Sequence, residues 1–464
     1  MAQFLDLPVE LLPLVIQHLV RPSHLAAVCL VNRSFHAFAI PHLYERAFIY
    51  AWHKEAKAKV VKLFRALAQH PHLARHVRQL VIRDFPKALH SSDYQSVVNL
   101  CLDGIRNCIN LRSCTWTRDG SLTTEILEAL VSCPHLVELE INGHHQGHYD
   151  PSILAGFKNL RRLSIIMPDG PVVDMLPFWM KRTGNELRHL SLICKSSGLV
   201  NDGTLEMLAS YLPNLEQLYI VGCPKTTDRG LLTVLSSNIR GLLGLGMEGV
   251  SSNFDMKYFS EQCTRLGTMA RLRSITLAVH AQMSPDWETD VLTLLNPAPL
   301  EQFHISTIGG HVGSSLSEEF CAAIVSAHGA RLRRFSVHRM RMSIASIADV
   351  CKRCVHLEQL FVVVEQDALD ALGPALAQAR NLRVVHVNRP LDLGSEDVPV
   401  IARERILSIV KQCSPSLRQF GYNTRVLQVE RATSTLEDGS VAVEVRLAAY
   451  ESPEVPEQFL VVRT

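Results

Sequence analysis

Asn214-Leu215-Glu216-Gln217-Leu218-Tyr219-Ile220 is the stretch on which the reading of this chain turns. It has the form Leu-x-x-Leu-x-Ile, and copies of that form recur along most of the sequence. Leu136 to Ile141, Leu160 to Ile165 and Leu187 to Leu192 precede it. Leu272 to Leu277, Leu300 to Ile305, Leu332 to Val337, Leu357 to Val362 and Leu382 to Val387 follow, and degenerate copies begin at Val77, Leu111, Leu242 and Leu417. Twelve steps carry the pattern from residue 77 to residue 417, a mean period of about 28 residues.

Numbered from the first leucine, positions four and six of each copy point to one face of an extended strand, and position one turns in ahead of them. A single copy presents one short apolar edge and cannot bury it alone. Copies stacked side by side make a continuous core. Helical stretches alternate with the strands: Ser121 to Ser132, Gly203 to Leu212, Ser317 to His328 and Ile344 to Cys354. The expected fold is therefore α/β, a leucine-rich-repeat solenoid with a parallel sheet inside and helices outside. The expected array runs over 76–425 in about 13 units, with longer insertions at 83–110, 277–299 and 387–416. Beyond it, Val426 to Glu430 and Val441 to Leu447 read as a hairpin around Glu437-Asp438-Gly439. Phe459 to Val462 reads as a further strand, so 426–464 forms a C-terminal β cap.

Composition narrows the function classes. Hydrophobic residues make up 47% and charged residues 20% of 464, as in a folded globular chain. Lys and Arg number 47 against 45 Asp and Glu, so no net field favours nucleic acid or a membrane surface as partner. Asp6 and Glu10 sit where a signal peptide needs a basic start, and no uncharged apolar run reaches the roughly 18 residues of a membrane span. An intracellular protein, cytoplasmic and/or nuclear, is expected. The 12 cysteines do not resemble a disulfide framework. Cys108, Cys133 and Cys354 each stand three residues before a repeat leucine, in the slot that Leu212 and Ala379 fill elsewhere. That is a small apolar packing position. Cys351 and Cys354 lack a second pair at zinc spacing, and His144, His145 and His148 read as a surface loop without an orienting carboxylate shell. Neither a metal nor a cofactor is called for. Gly241 to Gly249 lacks the Lys-Ser/Thr end of a phosphate loop, and no catalytic constellation stands out, so the chain does not read as an enzyme.

The N-terminal stretch has another texture. Leu7-Pro8-Val9-Glu10-Leu11 opens a helix carrying Leu11, Leu12, Val15, Ile16 and Leu19. Ser23 is placed to cap a second helix with Leu25, Val28 and Cys29, and Asn32 a third with Phe35 and Phe38. Pro41 should end that helix and start a fourth carrying Leu43, Tyr44, Ala47 and Phe48. Four short helices make a core too small to be comfortable alone. Leu7-Pro8-x-Glu10-Leu11, Ile16, Leu19, Leu25-x3-Cys29-x-Val31-Asn32-Arg33-x-Phe35 resembles an F-box, with Phe35 and Phe38 where the family usually carries tryptophan. With the repeats, almost the whole chain resembles the F-box/leucine-rich-repeat substrate receptors, notably the large fungal set.

The resemblance implies an all-α F-box module at 1–50 and a non-catalytic subunit of an SCF-type cullin–RING ubiquitin ligase. The F-box would dock the ligase's adaptor subunit through Leu7, Pro8, Glu10, Leu11, Ile16, Leu19, Leu25, Val31 and Phe35. The repeats would hold a protein target. A non-ligase interaction scaffold is the alternative. Residues 51–75 read as a helical linker, basic at Lys54, Lys57, Lys59, Lys62 and Arg65 over a stripe of Val60, Val61, Leu63, Phe64 and Leu67.

Positions three, five and seven of each copy face away from the core. Ile166, Ile193, Tyr219, Val221, Phe361 and Val363 put apolar side chains there, where solvent exposure has a cost, and are the expected target contacts. Position two forms a row of arginines: Arg78, Arg112, Arg161, Arg188, Arg273, Arg333, Arg383 and Arg418. Glu216, Glu301 and Glu358 interrupt it. Arginines in line could grip an acidic segment. The interruptions favour a rim kept soluble by charge pairing.

Overall fold

Every copy of the repeat is a strand in the computed structural model. Residues 8–19, 21–86, 91–280, 284–308, 315–390, 401–435 and 441–449 are described. The chain divides into two units, Met1–Leu215 and Glu216–Thr464.

The first unit opens with a 3-10 turn, Val9–Leu11, and helices α1 (Leu12–Ile16), α2 (Pro22–Cys29) and α3 (Arg33–Glu45). Asn32 caps α3 as expected, accepting the Phe35 N–H at 3.0 Å. Ser23 does not cap α2. That helix starts on Pro22, whose fixed φ and missing N–H suit a first turn. Nor does Pro41 end α3, which runs through it as one helix in place of the expected third and fourth. An interior proline costs about 3 kcal/mol. Phe35, Phe38 and Ala39 before it and Leu43 after it offset that cost by packing with Ile16 and Leu25. Ala47 and Phe48, expected on a helix, lie in strand β1 (Arg46–Ile49), where the ladder to the next strand takes up their backbone groups.

The sheet of this unit runs through β1, β2 (Gln79–Ile82), β3 (Ser113–Trp116), β4 (Glu138–Asn142), β5 (Arg162–Ile166) and β6 (His189–Ile193). Each strand is parallel to the one before. Position four stands beside position four throughout: Leu80, Cys114, Leu139, Leu163, Leu190. These side chains and their position-six companions, Trp116 among them, are buried. The sheet begins at Arg46, ahead of the array start expected at 76. The segment expected as a linker carries α4 (Ala56–Gln69), which packs as the outer helix of a repeat. Val60, Phe64 and Leu67 are buried, and α4 packs on helix Ser91–Asn107, where a Cβ on Gly104 would lie only 3.0 Å from the Phe64 ring. Asn107 satisfies the carbonyls of Leu67 and Ala68 at 3.0 and 3.1 Å. Lys57, Lys59, Lys62 and Arg65 are exposed, as a solvated helix face requires.

The second unit continues the pattern with β7 (Gln217–Val221), β8 (Gly244–Glu248), β9 (Ser274–His280), β10 (Gln302–Ile308), β11 (Arg334–His338), β12 (Gln359–Val363), β13 (Val384–Asn388) and β14 (Gln419–Tyr422). All are parallel and in one register. Two antiparallel strands, β15 (Arg425–Thr435) and β16 (Val441–Ala449), follow at its end. The expected turn at Glu437 to Gly439 and strand at Phe459 to Val462 lie outside the described residues. Outer helices fall where the period puts them, at Thr124–Val131, Asp202–Ala209, Glu318–His328 and Ile344–Arg353. Cys108, Cys354 and Cys413 fill buried slots ahead of the strands. Burial pushes these thiols, and that of Cys351, up to about 12. The thiolate needed for nucleophilic attack or metal binding is disfavoured there.

Leu218 is fully buried in the apolar column of the second unit. Leu218→Ala should cost about 2–5 kcal/mol, read as a lower denaturation midpoint.

Candidate protein-interaction surfaces

The helical module buries little. Its core is Ile16, Leu25 and Ala39, with Leu19, Val28, Cys29, Phe35, Phe38 and Leu43 packed partly against it. So small a core leaves apolar side chains over. Leu30 is 87% exposed, Val31 60% and Leu14 55%, with Leu11 and Val15 also open to solvent. Of the residues expected to meet a partner, Pro8, Glu10, Leu11 and Val31 are on the surface, and Leu19 and Phe35 are half-buried. Ile16 and Leu25 are not available: they are the centre of the core. Leu7 lies outside the described residues. Leu14 and Leu30 are not among the residues that the sequence marks out, and Val15 is marked only as an apolar position of the first helix. For Leu14 and Val15 the signal is that the five-residue α1 has only one inward face, occupied by Leu12 and Ile16; Leu30 stands at the C-terminal cap of α2.

On the strand face of the first unit, Ile166 and Ile193 are buried despite their outward positions. They are register partners in adjacent strands, with buried Asn142 on the other side, so each shields the next. Nearby, the Arg83 guanidinium meets the Glu140 carboxylate at 3.1 Å, and the Thr115 hydroxyl donates to the same carboxylate at 3.3 Å. The histidine loop does have orienting carboxylates, contrary to expectation. His144 Nδ1 lies 3.0 Å from Asp119 and His145 Nδ1 2.5 Å from Asp169. Asp169 also accepts from the Val172 N–H, capping helix Gly170–Thr183. Burial raises the Asp169 carboxyl. The His145 ring, its N–H and that of Gln146 more than offset this and hold it below the usual carboxylate range.

The second unit presents two aromatic groups on glycine floors. Tyr219 and Gly246 are register partners, and a Cβ on Gly246 would collide with the phenol ring. One on Gly244 would lie 3.2 Å from the Tyr219 hydroxyl. The ring therefore lies across β8 on bare backbone, half-buried beside half-buried Val221. Phe361 stacks on His386, with centroids 6.1 Å apart and planes at 18°, and His386 occupies the space over Gly421. This stack buries Phe361. Val363 is buried as well, so neither is the exposed contact expected.

Between the aromatics, Ser274, Thr276, Gln302, His304, Arg334 and Ser336 line a recess of about 10 Å³, room for one water. His304 Nδ1 lies 2.7 Å from the Ser336 hydroxyl. Burial first, then His338 and Arg334, push the imidazole down to about 3. It is neutral at ordinary pH, and Arg334 supplies positive charge to the recess.

Gly246→Ala should lower stability by about 1–3 kcal/mol by evicting the Tyr219 ring, and adding Tyr219→Ala should recover much of it. Chemical denaturation of the three variants measures the coupling, and strict additivity would count against the glycine floor. Asp169→Ala should lower the melting temperature at pH 7 through loss of the cap and the His145 contact, about 1 kcal/mol for the cap. Because the folded carboxyl is depressed, its contribution is present above the unfolded value of about 3.9 and lost as pH falls through the folded one. The difference between variant and wild type should therefore shrink on acidification.

Residues 4–50 match the F-box-like family model. Among curated proteins, none matches the sequence. Two distant likenesses among solved structures are these. The leucine-rich repeat-containing protein LegL7 from Legionella pneumophila is 11% identical, with 66% of this chain and 90% of that one covered at a TM-score of 0.38. A chain of the yeast Rad7 and Elc1 complex is 14% identical, with 78% and 90% covered at 0.47. Neither likeness is needed for the fold, which rests on strand register and repeat spacing. The chain carries an F-box-like domain at residues 4–50, and leucine-rich repeats make up the sheets of its two units.

Proposed function

We propose that this protein is the substrate-recognition subunit of an SCF-type ubiquitin ligase. The F-box-like module docks the ligase's adaptor, and the repeats hold a protein target. What supports the reading is the coincidence of the family match with an apolar surface on the same module: Leu11, Leu14, Val15, Leu30 and Val31. Water makes that surface costly to leave open, and a helical partner would cover it. In this role the chain does no chemistry. It raises the rate of ubiquitin transfer by holding the target near the ligase's transfer machinery.

For the target, Tyr219 and Val221 are the contacts we retain from the expected set. A flat, half-open phenol above backbone is a rigid aromatic anchor. The neighbouring recess offers hydroxyls, a neutral imidazole and the Arg334 charge to polar groups beside it.

The decisive experiment is co-purification of the full chain with the adaptor and cullin, followed by ubiquitin transfer in the reconstituted complex. Leu14→Asp with Leu30→Asp should abolish adaptor capture while the melting temperature of the array stays within a few degrees. Leu25→Asp, by contrast, should unfold the module. If wild type captures no adaptor, or the exposed-site variant captures it undiminished, the reading is wrong. Capture without transfer would favour a scaffold over a ligase subunit.

A further inference from the structure

Position two of the repeats forms a column in each unit, and the two columns differ in charge. In the first unit, the Arg112 N–H donates to the Arg78 carbonyl at 2.8 Å, Val137 to Arg112 at 2.9 Å, Arg161 to Val137 at 2.8 Å and Arg188 to Arg161 at 2.8 Å. In the second, the same ladder joins Glu216, Leu243, Arg273, Glu301, Arg333, Glu358, Arg383 and Arg418. There the signs alternate from Arg273 to Arg383 and these charges pair within the column, with Arg418 following Arg383 at its end. Arg273 meets Glu301 at 3.1 Å, Arg333 meets Glu358 at 3.2 Å, and Arg383 meets the same Glu358 at 3.7 Å. This is the soluble, self-paired rim read from the sequence.

The first unit forgoes that arrangement. Among the described residues, Arg78 alone of the arginines in this column meets a carboxylate, Glu45 at 3.5 Å. Arg112 and Arg161 are exposed, with no acidic partner among the described residues. Arg161 and Arg188 stand on adjacent strands, about 4.8 Å apart along the sheet, where like charges repel. The Arg188 guanidinium is held in place by the carbonyls of Asn185 and Leu187 at 2.9 and 3.1 Å. Among the described residues, Glu186, close to Arg188 in sequence, makes no ion pair with Arg161 or Arg188, and neither does Glu138. Glu138 faces Arg162 in the neighbouring column. Glutamate is tolerated at position two in the same repeat geometry, as the second unit demonstrates, so the fold does not require arginine there. What like-signed guanidiniums along one rim offer, with Val137 between Arg112 and Arg161, is a line of bidentate donors for oxyanions.

We propose that Arg112, Arg161 and Arg188 bind an extended anionic peptide segment of the captured protein. This rests on the reading that the repeats hold a protein target. Carboxylates and phosphoryl groups share the chemistry, since each presents planar or tetrahedral oxygens to a guanidinium fork.

The test is fluorescence anisotropy with the full-length protein and two short labelled peptides, one rich in glutamate and one carrying phosphoserine at the same places. At least one should bind at low salt and weaken as salt rises, and the tighter of the two identifies the oxyanion. R112S/R161S/R188S should weaken binding about tenfold or more. R112K/R161K/R188K keeps the charge and loses the planar fork, so it should bind between wild type and the serine variant, and an unchanged melting temperature in both variants separates lost binding from misfolding. R273S/R333S/R383S should leave binding unchanged. The proposal is overturned if neither peptide binds, if both serine variants weaken binding equally, or if duplex DNA binds through the same arginines more tightly than either peptide. Adaptor capture is followed in the same samples. Its absence in wild type counts against the ligase reading, whereas the peptide measurements decide the role of these arginines.

Discussion

The structure depends on one constraint: a repeat of this length cannot bury its own apolar edge. Leu215, Leu218 and Ile220 are fully buried, and neighbouring copies must provide that burial. A parallel ladder without slippage is the arrangement that lets every copy do the same. Side chains alternate along a strand, so a shift of one residue would turn each leucine column to the solvent. Because the register holds, every position of the repeat becomes a column with its own environment. Positions four and six are core, position five is a face, and position two is a rim.

The N-terminal module fails to close a core for the opposite reason. It is short, and its helices share only a few buried side chains around Ile16, Leu25 and Ala39. Apolar residues that a larger domain would cover stay on the outside, Leu30 most of all. The same shortage explains why α3 runs through Pro41. Splitting the helix there would cost packing on both sides of the proline, and the module has little to give up. Small size thus accounts both for the helix and for the exposed surface that a partner could cover.

On the strand faces, crowding governs what is available. An outward position is not an exposed one when its neighbours in the column are large. Phe361 and His386 cover one another, and Ile166 and Ile193 do likewise. Tyr219 is set apart because Gly244 and Gly246 leave β8 bare beside it, so its ring lies down. The glycines that looked like an irrelevant Gly-rich stretch within a repeat are the floor of that position.

What could be read from residue order was what depends on local spacing. The Leu-x-x-Leu-x-Ile period predicts the strands from β2 to β14, the outer helices and the buried cysteine slots, because periodicity fixes which side chains share a face. Asn32 as a cap is equally local, since the bond closes over three residues. The tertiary structure decided what depends on neighbours a whole repeat away. It placed β1 in the sheet, absorbed Pro41, buried Ile16, Leu25, Phe361 and Val363, and gave His144 and His145 their carboxylates. It also decided which arginines of the rim meet Glu301 and Glu358. Burial and charge pairing are set by residues about 28 positions distant in the chain and about one strand spacing away in space. No local pattern carries that information.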